Sequence, residues 1–289
     1  MIQKNKKTFI RVSSFCLSVA ALLSFSSCSA LKRSLAGELT DQGISIDSVA
    51  PGMVYVPQIQ EDCITTSVSV DTVYENCLFV GNSVMCDFYN HVSLWRKTDP
   101  MLFSKSYFFC NQNFGVYENN YTKVSASSTH PTVKIGDEEV KCTVEDAVEK
   151  TGASHVVLCL AGVNDLPVYG DEENCHKKTA ADMEKLILSL KKRFGDITVT
   201  VISTPYMSAS ALSMKSVNNE KIKALNDELI VACTKSGAYF IDISTLIADE
   251  NNCLKPEYSA DNYCRINESG CKVILSSLRY YAEKRKGEI

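Results

Sequence analysis

Prolines number only seven and glycines 13 in 289 residues, and they form no low-complexity tract or internal repeat. That excludes collagen-like, linker-rich and solenoid architectures. No Cys-x-x-Cys occurs and no Cys/His spacing fits a zinc site, so neither a metal nor a cofactor is expected. Lysine and arginine nowhere cluster among aromatics, and the formal net charge is -4, which argues against a nucleic-acid partner. No apolar run reaches the roughly 20 residues of a transmembrane helix. Histidine occurs four times, as His91, His130, His155 and His176.

What remains is an ordinary globular balance, 45% hydrophobic and 22% charged, enough for one α/β domain behind an N-terminal extension. Lys4, Lys6, Lys7 and Arg11 precede an uncharged, largely apolar stretch from Val12 to Phe25. Ser26-Ser27 then stand directly before Cys28. The pattern resembles a bacterial lipoprotein signal, with Phe25 where leucine is favoured. It implies loss of residues 1–27, a lipid on Cys28, and an exported, membrane-anchored, extracytoplasmic protein. Residues 28–52 read as a polar tether, and residues 53–289 as the folded domain. Losing residues 1–27 removes four of the 30 basic residues and none of the 34 acidic ones, leaving a formal charge of -8. Such acidity disfavours electrostatic attachment to anionic lipid, so the lipid anchor is the expected membrane contact. Setting aside Cys16 and Cys28 leaves an odd eleven of the 13 cysteines, so at least one is unpaired or bonds between chains.

Strand and helix signals alternate along the domain, which implies a parallel sheet. Strands are expected at 77–81, 106–110, 155–161, 197–203 and 238–243. Helices are expected at about 83–96, 143–151, 176–194, 215–236 and 268–285. Met53–Val56 and Ile64–Val73 read as edge strands or a lead-in. Met183, Leu186, Ile187 and Leu190 recur at helical spacing, as do Val273, Ile274, Leu278 and Tyr281; both sets read as core stripes. Residues 121–142 read as an excursion or hairpin around Gly136-Asp137, placed to wall a cleft.

Two strand ends carry the chemistry. The run Cys77-Leu78-Phe79-Val80-Gly81-Asn82-Ser83 passes from a strand into a helix through a tight turn. A serine there either caps the helix or stands as a nucleophile where ligands gather in open α/β folds. The run from Val156 to Ala161 ends in Gly162-Val163-Asn164-Asp165. Asn164 either makes a turn or donates its amide to an oxyanion.

Together these stretches resemble the SGNH/GDSL hydrolase family over roughly residues 75–285. Phe79-Val80-Gly81-Asn82-Ser83 matches its first block, with Ser83 in the nucleophile position and Asn82 where the family has Asp. Gly162-Val163-Asn164-Asp165 matches the third, whose Asn helps form the oxyanion hole. The second block supplies a Gly amide to that hole, and Asn113 stands at its counterpart. The resemblance implies a three-layer flavodoxin-like domain with a central parallel sheet of about five strands. It also implies serine hydrolysis of acyl or acetyl esters of carbohydrates or lipids, with oxyanion donors from Ser83, Asn113 and Asn164.

The fifth block, Asp-x-x-His, is only half present. Asp261 matches, and Ile266-Asn267-Glu268-Ser269-Gly270 looks like the lead into the final helix. Cys264 takes the histidine's place counted from Asp261, and Arg265 takes it counted back from the helix. Cys264 would be a poor base, and reads as a core thiol or half of a disulfide with Cys253 or Cys271. Arg265 accepts no proton but suits a carboxylate or phosphate, and is expected to point into the cleft. His91 lies more than about 10 Å along the helix from Ser83, at ~1.5 Å per residue. His155 starts a strand at the opposite end, which leaves His130 and His176 as substitutes. Two functions follow: a serine esterase with a rebuilt base, or a silent member that binds a glycan or acidic ligand in the retained cleft.

Overall fold

A computed structural model describes residues 54–55, 71–211 and 215–285. The signal, the Cys28 lipidation site and the tether lie outside the described residues. The chain runs through β1 (Val54–Tyr55), β2 (Cys77–Gly81), α1 (Ser83–Trp95), β3 (Tyr107–Cys110) and α2 (Val116–Tyr121). It continues through β4 (Thr132–Ile135), β5 (Glu138–Lys141), α3 (Val144–Thr151), β6 (His155–Cys159) and α4 (Cys175–Phe194). It ends with β7 (Thr198–Ile202), α5 (Asn219–Ser236), β8 (Tyr239–Ile241), α6 (Ser244–Ile247) and α7 (Glu268–Arg285).

The five expected strands form one parallel sheet, and β1 extends its edge beside β8, giving the order β1-β8-β7-β6-β2-β3. Ile64–Val73 is largely outside the described residues, and its end leads into a 3-10 turn at Thr72–Tyr74.

Alternation along the strands sorts the core into two layers. Leu78, Val80, Val156, Leu158, Val199 and Val201 face α3, α4 and α5. Phe79, Val157, Cys159, Ile202 and Ile241 face α1, α6 and α7. Both helical stripes read from the sequence are buried in these layers. The helix expected from residue 215 begins at Asn219, because the Asn218 side chain accepts the Lys221 amide at 2.9 Å and caps it. Among the described residues no helix is long and apolar enough to cross a membrane.

Sheet order also sets where a ligand can sit. From β2 the chain steps outward to β3, then crosses back over β2 to β6 and onward to β7 and β8. The reversal falls between β2 and β6, whose carboxyl ends open a crevice. Ser83 follows β2 and the 162–165 turn follows β6, so topology brings the two chemical stretches to one place.

Candidate functional site

Gly81 ends β2 against both neighbours. A Cβ there would lie 2.4 Å from Met85 Cβ and 2.5 Å from the Cys159 carbonyl oxygen. Only glycine lets α1 start this close to β6. Asn82, rather than Ser83, caps α1: its Oδ1 accepts the Val84 amide at 3.1 Å. Its Nδ2 donates to the Leu160 carbonyl at 3.3 Å, which an aspartate could not do. The capping role read for Ser83 is thereby taken by its neighbour. Among the described residues the Ser83 hydroxyl has no hydrogen-bond partner, so its oxygen is unspent.

Ser83 lines a small cavity with Asn82, Cys159, Val163, Thr204 and Cys264. Its free volume is about 10 Å³, room for roughly one water molecule. No histidine lines it. His130 is buried elsewhere, with Nδ1 3.1 Å from Ser128 Oγ and 3.7 Å from Glu118. His176 faces Glu228, Lys177 and Lys221 between α4 and α5, where burial lowers its pKa. His155 meets Thr200 Oγ1 at 3.0 Å at the far end of the sheet, and His91 lies against the Trp95 ring. The excursion at 121–142 forms the β4–β5 hairpin and contributes nothing to the cavity wall.

The residues of the fifth block are placed differently from expectation. Cys264 does line the cavity, but burial pushes its thiol up to about 12, so it keeps its own proton at neutral pH. It is a buried free thiol, in line with the core-thiol reading, and Cys253 and Cys271 are free as well, so the disulfide alternative does not hold. Arg265 turns away from the cavity to form a two-pronged ion pair with Asp87 on α1, with Nε 2.7 Å from Oδ2. A free arginine waiting for an anion is thus corrected to a strut between the 261–267 loop and α1. Asp261 is exposed, and its Oδ1 accepts the amides of Tyr263 at 2.8 Å and Arg265 at 3.0 Å, shaping its own turn.

Both asparagines read as oxyanion donors are occupied in this structure. The Asn164 side-chain amide donates to the carbonyls of Gln112 and Phe114, each at 3.0 Å. The Asn113 amide donates to Asn111 Oδ1 at 3.0 Å, and Asn113 does not adopt the left-handed backbone. Asn164 therefore clamps the loop after β3 instead of presenting its hydrogens to the cavity.

Sequence reasoning missed the role of the adjacent Asp165. This fully buried carboxylate accepts the amides of Tyr117 at 2.9 Å and Gly162 at 3.1 Å, and faces that of Val116. It ties the start of α2 to the turn after β6. Gly115 leaves it room, since a Cβ there would lie 2.4 Å from its oxygen. The only sequence signal for this link was an acid directly after Asn164. Burial outweighs the amide donors and pushes the pKa of Asp165 up to about 7. An acid with a raised pKa holds its proton more tightly folded than unfolded, where its pKa is about 4. Its contribution to stability is complete below about pH 4 and is lost as pH rises through about 7. Asp165→Asn is expected to flatten this limb of the stability–pH curve. Urea unfolding across that range measures it, and an unchanged slope would refute the assignment.

A groove of about 410 Å³ is lined by the 208–210 and 259–262 segments, a few residues along the chain from Pro205 and Cys264 of the Ser83 cavity. Ser208, Ser210, Asp249, Ser259, Asp261 and Asn262 supply its polar wall, and Leu254 and Pro256 its apolar one. Among the described residues no cluster of side chains suits a metal ion.

No protein-family model and no curated protein matches the sequence. Solved structures do match the fold. A GDSL-like lipase from Bacteroides thetaiotaomicron superposes with a TM-score of 0.53 at 15% identity, over 74% of this chain and 90% of the other. A proposed acylhydrolase from Bacteroides fragilis gives 0.53 at 15% identity, over 78% and 99%. A proposed GDSL-like lipase from Parabacteroides merdae gives 0.50 at 11% identity, over 73% and 95%. The chain has the three-layer fold of GDSL-like hydrolases.

Proposed function

We propose that this GDSL-hydrolase-fold protein is an exported lipoprotein, anchored through Cys28, that binds a neutral glycan at the carboxyl edge of its sheet. In this reading it does not cleave esters through a serine triad. The observation that carries it is the cavity beside Ser83, which contains no base and has room for about one water. Serine is a weak nucleophile without a partner to take its proton, and loss of a triad base leaves only residual catalysis. The groove is of ligand size, and its hydroxyls and carboxylates match the hydrogen-bonding hydroxyls of a sugar. Asp249 and Asp261 would repel an acidic ligand, and Arg265 is already paired, so the ligand is uncharged.

The second reading is a serine esterase acting on acylated glycans or lipids. It is favoured by the unspent Ser83 hydroxyl at the switch point of the sheet. One comparison separates the two. The purified protein and Ser83→Ala are expected to show the same background turnover of a short-chain acyl ester. Neutral oligosaccharides are expected to bind, with about tenfold weaker affinity in Asp261→Asn, the loss of one hydrogen bond worth about 1.4 kcal/mol. That substitution keeps an oxygen to accept the Tyr263 and Arg265 amides. Ester turnover abolished by Ser83→Ala would establish the esterase instead.

A further inference from the structure

Two cysteines meet behind Ser83. Cys110 is the last residue of β3 and pairs in register with Gly81 on β2. Cys86 stands one turn into α1, its amide 3.0 Å from the Asn82 carbonyl. The two positions lie on either side of the strand-to-helix turn, near enough that each thiol is the largest influence on the other's titration. Both are half-buried, whereas seven of the other eight described cysteines are buried. The remaining half-buried one, Cys253, meets Asn219 Nδ2 at 3.4 Å and the Asn251 carbonyl at 3.8 Å.

We propose that Cys86 and Cys110 are a reversible thiol–disulfide pair that ties the Ser83 helix to the end of β3. The chemistry of the two sulfurs is unequal. The neighbouring Cys110 thiol and, to a lesser degree, the Arg265 guanidinium hold the Cys86 thiol below its ordinary pKa, against burial and the Asp87 carboxylate. Cys110 is raised, mainly by the Cys86 thiol and then by burial. Cys86 is therefore the attacking sulfur, since thiolates and not thiols carry out exchange.

The oxidant is a low-molecular-weight disulfide. The Cys86 thiolate attacks one of its sulfurs, breaks the S–S bond and expels one small thiolate, leaving a mixed disulfide on Cys86. Cys110 then loses its proton, attacks the Cys86 sulfur and expels the second small thiolate. Two protein thiols are oxidised, one small disulfide is reduced to two thiols, and the two protein protons pass to those products. The loop that follows Cys110 carries the Gln112 and Phe114 carbonyls held by Asn164. The bridge therefore links α1, the loop after β3 and the turn after β6 into one unit.

The test is incubation of the folded protein with oxidised glutathione, followed by alkylation of free thiols, digestion and peptide mass mapping. The expected product is a cross-linked pair of peptides containing Cys86 and Cys110, lighter by about 2 Da than the two thiols, and restored by excess reduced glutathione. Cys110→Ser is expected to stop at the mixed disulfide, with glutathione retained on Cys86. Recovery of Cys86 and Cys110 both alkylated after prolonged oxidation would overturn the proposal. So would a bridge between any other pair, or glutathione on Cys253 but not on Cys86 in the Cys110→Ser protein.

Discussion

Gly81→Ala is expected to destabilise the protein by about 3 kcal/mol or more, at the top of the usual range for overpacking. The two atoms its methyl would strike are both fixed. Met85 Cβ, 2.4 Å away, moves only with the backbone of α1. The Cys159 oxygen, 2.5 Å away on the other side, belongs to β6, which pairs with Gly81 itself. No rotamer change relieves either contact, so helix and strand must separate and Ser83 must shift with the helix. Gly136 is the comparison site. Nothing lies within 4 Å of its Cβ position, so Gly136→Ala carries only the left-handed backbone cost of about 1–2 kcal/mol. Urea unfolding of the two variants measures the contrast. Equal losses would show that the β2–α1 turn is looser than the structure has it.

Arg279→Met is expected to cost about 3–5 kcal/mol, because it strands a buried carboxylate. Arg279 on α7 donates from Nε to Asp71 Oδ1 at 3.0 Å and from a terminal nitrogen to Oδ2 at 2.8 Å. Both side chains are 5% exposed, so water cannot replace the lost partner. For a domain of this size the melting temperature should fall on the order of 10 °C. The pair itself need not be worth that much, since burying two charges costs nearly what their attraction returns. Asp71→Leu combined with Arg279→Met is accordingly expected to recover most of the loss. If the double variant is as unstable as the single one, the loss comes from the packing of α7 and not from the stranded charge.

Much of the architecture was legible in the residues themselves. The short apolar run 77–81 is entirely buried, as both-face burial in a parallel sheet requires. Met183, Leu186, Ile187 and Leu190 recur at helical spacing and are all fully buried on α4. The short helix α2 was not legible, because Val116–Tyr121 has no apolar period and is held in place by Asp165 from outside the segment. Ser83 was found from its position after a strand, and its surroundings were not. Which residue caps α1 depends on how the Asn82 side chain divides its oxygen and nitrogen between Val84 and Leu160.

The sequence by itself determined the order of the five core strands and the five longer helices, and the two turns that carry Ser83 and Asn164. Those signals are periodicities and turn chemistries that act over a few residues and survive without knowledge of neighbours. The tertiary structure alone decided what the polar side chains do. Asn164 spends its amide on carbonyls 50 and 52 residues away, and Arg265 its guanidinium on a carboxylate 178 residues away. A hydrogen bond needs its partner within about 3 Å, and only the packed sheet brings such distant residues that close.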